Sequence, residues 1–126
     1  MQNTIKRGDI YLVNLNLPAK KDKEQQSEQM SEQRGYRPTL VISNDIGNDN
    51  GPTVILAAMT SNLEKPILPT HVAVQAKCGL QYDSIILLEQ LKTLDKQKLR
   101  RYIGTLDEAT MKEIDAALAV SVGIGV

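Results

Sequence analysis

Short apolar runs separated by turn-forming residues dominate the first hundred positions of the chain. Most of the runs span four to eight residues, are rich in Val, Ile and Leu, and are bounded by Gly, Pro, Asn or Asp, which is typical of β-strands. The predicted strands are Asp9–Asn16, Pro38–Ser43, Thr53–Thr60, Thr70–Gln75, Ser84–Gln90 and, as a candidate for the last one, Tyr102–Thr105.

Between these runs the chain is polar. Asn44–Pro52 contains Asn, Asp, Gly and Pro and predicts a turn region, whereas Thr93–Arg101 is polar and can hold one short helical turn. Residues from about 18 to 36 form a much longer polar stretch, with lysines at its start and many Gln and Glu after them. We predict a long loop there, because connections of this length without an apolar pattern are uncommon in compact domains and usually functional.

Only the last part of the chain has a helical period. Thr105–Glu108 matches a capping box, in which a Thr and a Glu three residues later satisfy backbone groups at a helix start. We therefore predict a helix from about Asp107 to Ser121, ending before Gly123. Its apolar positions, spaced by three or four residues, are Met111, Ile114, Leu118 and Val122.

These elements predict an α+β protein that is mostly β, with a small antiparallel sheet or barrel followed by one helix. Residues 1–126 suit a single domain. Phe and Trp are absent and there are only 4 Tyr, so the core must be built from aliphatic side chains. A small domain buries a limited share of its surface, which favours dimerisation.

Charge and cysteine content narrow the function classes. The 15 basic and 15 acidic residues cancel, which counts against a general polyanion binder but leaves room for a local basic patch. Cys78 is the only cysteine, so no internal disulfide is possible, which fits a reducing compartment. Met1–Asp9 lacks the apolar run of a signal peptide, and no stretch is long enough for a membrane span. We expect a cytoplasmic protein without a membrane partner.

No common catalytic, nucleotide-binding or metal-binding motif is present. We expect His71, inside a predicted strand, to be structural and Cys78 to be inert. The acidic residues are scattered, so we expect neither a metal nor another cofactor. Arg37 stands at the entrance to a predicted strand, where its guanidinium could bind a phosphate or simply remain solvated or pair with Glu32. The hydroxyl of Thr60 could likewise bind a phosphate or cap a strand end.

The order of short segments along the chain resembles the MazF/PemK family of toxin endoribonucleases over nearly the whole length. The family's Ser-Glu-Gln-x-Gly-x-Arg-Pro segment is matched from Ser31 to Pro38, by the second of two Ser-Glu-Gln copies. Each segment is short, but many of them occur in the family's order. The other matching segments are Arg7–Tyr11, Leu40–Asp45, Pro52–Thr60, Leu68–Val72, Asp83–Lys96, Ile103–Gly104 and Leu106–Glu108.

The resemblance implies an SH3-like barrel, a homodimer and a ribonuclease that cuts single-stranded mRNA and is inhibited by a cognate antitoxin. The family's catalytic arginine and threonine fall on Arg37 and Thr60. Cleavage would proceed without a metal, through 2′-OH attack that leaves a 2′,3′-cyclic phosphate and a 5′-OH. The candidate RNA contacts, by family position and polarity, are Ser31, Glu32, Gln33, Arg34 and Gln90.

The chain departs from the family pattern at two places, both beside the expected site. The segment between Pro18 and Ser31 is longer than the family's short connection, and Met30 stands where the family usually has Gly. We expect Ala19–Met30 to be mobile without RNA and to act as a partial lid that influences the RNA sequence preference.

The sequence is also compatible with two other functions. A related branch of the fold poisons DNA gyrase and cleaves nothing. The resemblance implies that this branch uses a C-terminal tail containing Trp and lacks the Arg-Pro…Thr pair. The present chain has no Trp and retains the pair. The second alternative is an RNA-binding barrel that has lost cleavage.

Overall fold

A computed structural model describes residues 4–14, 35–62 and 67–125. It contains strands, two α-helices and one short 3₁₀ helix, Lys96–Lys98, and the β-rich pattern of the sequence is confirmed. The strands are β1 Asp9–Asn14, β2 Tyr36–Val41, β3 Thr53–Thr60, β4 His71–Val74, β5 Ser84–Asp95 and β6 Leu99–Thr105; the helices are α1 Asp45–Asn50 and α2 Glu108–Val122.

Among the described residues, all strand pairs are antiparallel and form one six-stranded sheet in the order β4-β5-β3-β2-β1-β6. Because successive side chains of a strand point to opposite faces, the sheet supports an apolar cluster on each side. The larger cluster contains Ile10, Leu40 and Ile86 and is covered by α2 through Ile114 and Ala117. The smaller one is built on the other face around Val13, Val41 and Leu56. The predicted aliphatic core is present on both faces.

The edges of the sheet approach each other without pairing as strands in the described residues. The turn at Cys78–Gly79, between β4 and β5, lies directly against Ile103–Gly104 in β6. A Cβ atom on Gly79 would overlap the carbonyl oxygen of Ile103, and one on Gly104 would overlap that of Cys78. Only glycine allows the two backbones to come this close. The result is a barrel-like sheet with a terminal helix, as the sequence predicts.

The structure corrects several boundaries. Asn44–Pro52, predicted as a turn region, contains the short helix α1, whose first turn is capped by the Asn44 side chain accepting a bond from the Gly47 N–H at 2.7 Å. β5 continues to Asp95, beyond the predicted end at Gln90, and β6 begins at Leu99, before the predicted start at Tyr102. Of the predicted loop at about 18–36, only Gly35 and Tyr36 are described, and Tyr36 already belongs to β2.

The predicted capping box is wrong in its details. α2 begins at Glu108 with Asp107 as the N-cap, and no side chain accepts a backbone capping bond. The Thr105 hydroxyl donates instead to the Asp9 carboxylate at 2.8 Å, which ties the end of β6 to the start of β1. Tertiary contact with a carboxylate distant in sequence therefore replaces the local cap. In the described residues, no helix has the length and apolar character to cross a membrane.

Candidate active site

A groove of about 610 Å³ opens where β2 begins and β3 ends. Its other wall is formed by β6 and by the turn that precedes β5. The groove brings together Arg37 and Thr60, the two residues that the resemblance implies are catalytic. The lining residues are Leu12, Tyr36, Arg37, Pro38, Met59, Thr60, Ser61, Asn62, Gly79, Leu80, Gln81, Tyr82, Ser84, Arg101, Tyr102 and Ile103.

The register of β2 and β3 explains how Arg37 and Thr60 come together. The ladder pairs Leu40 with Ala57 and ends at Thr39 with Ala58. The same register, continued by two residues, sets Arg37 opposite Thr60 on one face of the sheet. The β2–β3 pairing stops before this point, and Arg37 and Thr60 both line the groove beyond its last pair.

The hydroxyl of Thr60 is fixed by a local bond. The N–H of Asn62 donates to Thr60 Oγ1 at 3.0 Å, so the oxygen is engaged as an acceptor. A hydroxyl that accepts a bond still has its own proton to donate. Arg37 is exposed at the groove and stands opposite Val13 in the β1–β2 ladder. The two residues thus offer a planar cation and an oriented hydroxyl donor to one ligand.

The groove has a distinctive composition. It contains Arg37 and Arg101, and no Asp or Glu occurs among the described residues that line it. Three of the chain's 4 tyrosines are also there and are 36%, 68% and 53% exposed at Tyr36, Tyr82 and Tyr102. Guanidinium groups bind phosphates, and aromatic rings stack on unpaired nucleobases. The neutral chain therefore carries a locally basic and aromatic surface, as the sequence left open.

A scan against family models matches residues 6–122 to the PemK-like, MazF-like toxins of type II toxin–antitoxin systems. The chain belongs to this family. The PemK/MazF assignment that the sequence segments indicated is confirmed, and the fold described above is the one shared by its structural neighbours.

Individual relatives agree with the PemK/MazF assignment. Endoribonuclease EndoA of Bacillus subtilis (strain 168) is 46% identical over 121 residues, which are 95% of this chain and 96% of that protein. An endoribonuclease solved in complex with its cognate antitoxin, from a mycobacterial species, superposes with a TM-score of 0.76 at 25% identity, covering 97% of this chain and 98% of that chain. A second mycobacterial endoribonuclease gives a TM-score of 0.74 at 25% identity, covering 99% and 97%.

Of the other residues predicted to bind RNA, only Gln90 is described, and it does not line this groove. Gln90 lies on β5 and lines a separate pocket of about 170 Å³ with Thr39, Ala58 and Lys92 among its neighbours. Ser31, Glu32, Gln33 and Arg34 lie outside the described residues. The RNA contacts expected at these five positions of the PemK/MazF chain stay predictions.

His71, the single histidine, has structural partners. The Leu68 N–H donates to its Nδ1 at 3.2 Å, and its Nε2 lies 3.0 Å from Glu89 Oε2. Thr70 Oγ1 donates to the other oxygen of Glu89 at 2.8 Å. Burial alone would raise the pKa of Glu89, but the hydrogen bonds from His71 and Thr70 lower it overall. The side chain of His71 is only 4% exposed, which agrees with the structural role predicted for it.

Cys78 and the acidic residues are the remaining candidates for chemistry outside the groove. Cys78 is half-buried in the turn against β6, with a φ of 54°. Over the described ranges 4–14, 35–62 and 67–125, no three His, Cys, Asp or Glu side chains are grouped so that they could hold a metal ion.

The sequence reasoning missed Arg101, Tyr82 and Tyr102. Arg101 was part of a polar stretch, and exposed tyrosines in turns or near strand ends carry no distinguishing pattern. Tyr82 and Tyr102 became noteworthy only when the fold placed them in one groove with two arginines. The absence of Phe and Trp, which leaves tyrosine as the only available aromatic side chain, was the one signal that could have directed attention to them.

Proposed function

We propose that this endoribonuclease of the PemK/MazF toxin family cuts single-stranded mRNA in the cytoplasm, without a metal ion, at the groove between β2 and β3. One observation carries the proposal: Arg37 and Thr60 line one groove, each two residues beyond the last pair of the β2–β3 ladder. RNA phosphodiesters carry their own nucleophile, the adjacent ribose 2′-OH, so the site needs only to position the phosphate and stabilise charge.

Attack by the 2′-oxygen forms the 2′-O–P bond and breaks the P–O5′ bond. The products are a 2′,3′-cyclic phosphate and a 5′-OH, with the 2′-OH proton leaving and one proton joining the 5′-oxygen. Negative charge increases on the non-bridging oxygens in the transition state. Arg37 stabilises that charge with two parallel hydrogen bonds, and the Thr60 hydroxyl donates a third. Because an arginine side chain stays charged in proteins, Arg37 is assigned electrostatic stabilisation and not the role of a free base.

We further propose two protein partners, a second copy of the chain and an antitoxin. The aliphatic core of a small domain favours the homodimer. A structurally similar endoribonuclease was solved in complex with its cognate antitoxin, which supports an antitoxin here. A segment with acidic and apolar side chains suits a groove that holds two arginines and exposed rings, and would exclude RNA from it.

Cleavage of RNA in EDTA, followed by end-group analysis, tests this proposal. The wild-type protein should cut single-stranded RNA with the metal chelated and leave cyclic phosphate and 5′-OH ends. Arg37→Ala should remain folded and not cleave, whereas Arg100→Ala, a change at an exposed arginine outside the groove, should cleave like the wild type. A gyrase poison would leave the RNA intact. A folded Arg37→Ala variant that cleaves within a few-fold of the wild type would place the site elsewhere.

A further inference from the structure

Two irregularities in the pairing of β6 flank Arg101 and Tyr102, one on each side. In the β1–β6 ladder, Arg101 and Tyr102 have partners on β1, but Ile103 after them and Arg100 before them have none. Each unpaired residue is an extra residue on β6, which is the geometry of a β-bulge. Bulges bend a strand, redirect side chains and are common beside active sites.

Three consecutive residues of β6, Arg101, Tyr102 and Ile103, line the groove, whereas Arg100 does not. Arg101 and Tyr102 lie between the two bulges and are paired regularly with Leu12 and Tyr11. The groove thus has a cation and an aromatic ring, adjacent in sequence, at one end of β6.

Tyr102 is held in place before any ligand binds. Its ring packs edge-on against Tyr11, with centroids 5.7 Å apart and planes at 66°. The Thr105 hydroxyl gives its proton to Asp9, so the 2.6 Å contact between Tyr102 and Thr105 has the tyrosine as donor. Burial, followed by the nearby Asp9 carboxylate and Tyr102, raises the pKa of Tyr11 and keeps that phenol protonated. A ring fixed in this way loses little freedom on stacking.

The position of the pair relative to Arg37 is set by the sheet. Leu12 of β1 is paired with Pro38 on one side and with Arg101 on the other. Two strand spacings, about 10 Å, therefore separate the backbone beside Arg37 from that of Arg101. Long arginine side chains on strands this close can contact neighbouring phosphates of one RNA strand.

We propose that Arg101 and Tyr102 form a nucleotide-binding subsite beside the cleavage site. Arg101 binds a phosphate next to the scissile one, and Tyr102 stacks on an unpaired base of the same strand. The subsite positions substrate and influences which RNA is cut, without touching the reacting atoms. This inference rests on the proposed function and extends it to residues for which the family pattern gave no role.

Binding of an uncleavable RNA tests the subsite separately from cleavage. The cut site is first mapped with wild-type protein, and a fluorescent RNA is then made with 2′-fluoro at that position, so that no 2′-OH can attack. Arg101→Gln should bind it roughly 10-fold more weakly, and the slope of log K against log salt should fall by about 0.7, the value for one single-strand phosphate contact. Arg100→Gln, the matched control one residue away, should leave both quantities unchanged.

Tyr102 is tested with a pair of variants. Tyr102→Phe keeps the ring and should bind within a few-fold of wild type, whereas Tyr102→Leu should lose roughly 10-fold through lost stacking. In cleavage assays, Arg101→Gln and Tyr102→Leu should raise KM far more than they lower kcat, with thermal melts confirming the fold.

The outcomes separate the two proposals. If the wild type cleaves RNA but Arg101→Gln matches Arg100→Gln and Tyr102→Leu matches wild type, the subsite is overturned and the proposed function stands. The same holds if Arg101→Gln weakens only an acidic antitoxin peptide. If the wild type cleaves no RNA at all, both proposals fall together.

Discussion

Arg37 and Thr60 contribute different groups, and their variants should fail in different ways. A lysine at position 37 keeps the charge but has no planar fork for two phosphate oxygens, so Arg37→Lys should remain strongly impaired. Thr60→Val keeps the shape and removes one donor, which typically lowers kcat by about 10² to 10³. Single-turnover cleavage with thermal melts checks both, and Arg100→Lys is the matched control. Near wild-type cleavage by Arg37→Lys would show that the bidentate fork is not used.

Glu89 links the stability of the fold to acidification. Its pKa lies below the ordinary value of 4.5 because the bonds from His71 and Thr70 outweigh the opposite effect of burial. A carboxylate whose pKa is lowered by folding stabilises the folded state above its unfolded pKa, and this contribution is lost as the pH falls through the folded value. Thermal melts from pH 7 to pH 3 should therefore show a larger loss of Tm for the wild type than for Glu89→Gln. Equal losses would mean that the carboxylate contributes no pH-dependent stability.

At the scale of elements, the contact between the Cys78–Gly79 turn and β6 holds the barrel-like sheet together behind the groove. A methyl group on Gly104 would overlap the Cys78 carbonyl oxygen, so Gly104→Ala must displace one backbone. We expect a loss of at least about 2 kcal/mol in the free energy of unfolding, at the upper end of ordinary overpacking.

Gly47→Ala is the matched control for Gly104→Ala. Its new Cβ would meet only Asn44 Oδ1, at 3.5 Å, and alanine is better than glycine in a helix such as α1. Urea denaturation should show no loss for this variant. A stable Gly104→Ala protein would mean that the two edges of the sheet are free to move apart.

Elements with a strong local pattern were predictable, and those fixed by distant contacts were not. The apolar runs of β2 and β3 and the periodicity of α2 required no tertiary information. α1 was missed because its sequence, DIGNDN, is poor in helix formers and depends on the Asn44 cap. The capping box failed because Asp9, nearly a hundred residues away in sequence, takes the Thr105 hydroxyl.

The site was predictable to a similar extent. Arg37 and Thr60 could be named from family segments, and the fold brings them to one groove. Arg101 and Tyr102 could not be named, because only the pairing of β6 with β1 brings them to the groove. The pairing of two strands leaves no reliable signal in the sequence of either strand alone.

At the scale of the whole molecule, the net charge is zero, but the charged residues are unevenly distributed over the surface. The 15 basic and 15 acidic residues give no net charge, yet the described lining of the groove has two arginines and no carboxylate. Binding of both RNA and an acidic antitoxin segment should therefore weaken as salt increases, because surface charges are screened. Titrations of the antitoxin at 50 and 500 mM salt check this, and an affinity independent of salt would point to a largely apolar interface.

The oligomeric state is also a property of the whole molecule. A single chain leaves large apolar side chains exposed, including Ile46, Ile67 and Val122, and its aliphatic core is spread over two modest clusters. Covering such surface with a second copy extends the buried apolar area, so we expect a homodimer at micromolar concentration. Sedimentation equilibrium should give twice the chain mass of 13.9 kDa, and Tm should rise with protein concentration, since association stabilises the folded state by mass action. A 13.9 kDa species with a concentration-independent Tm would mean that the chain is a monomer and that one groove suffices for RNA.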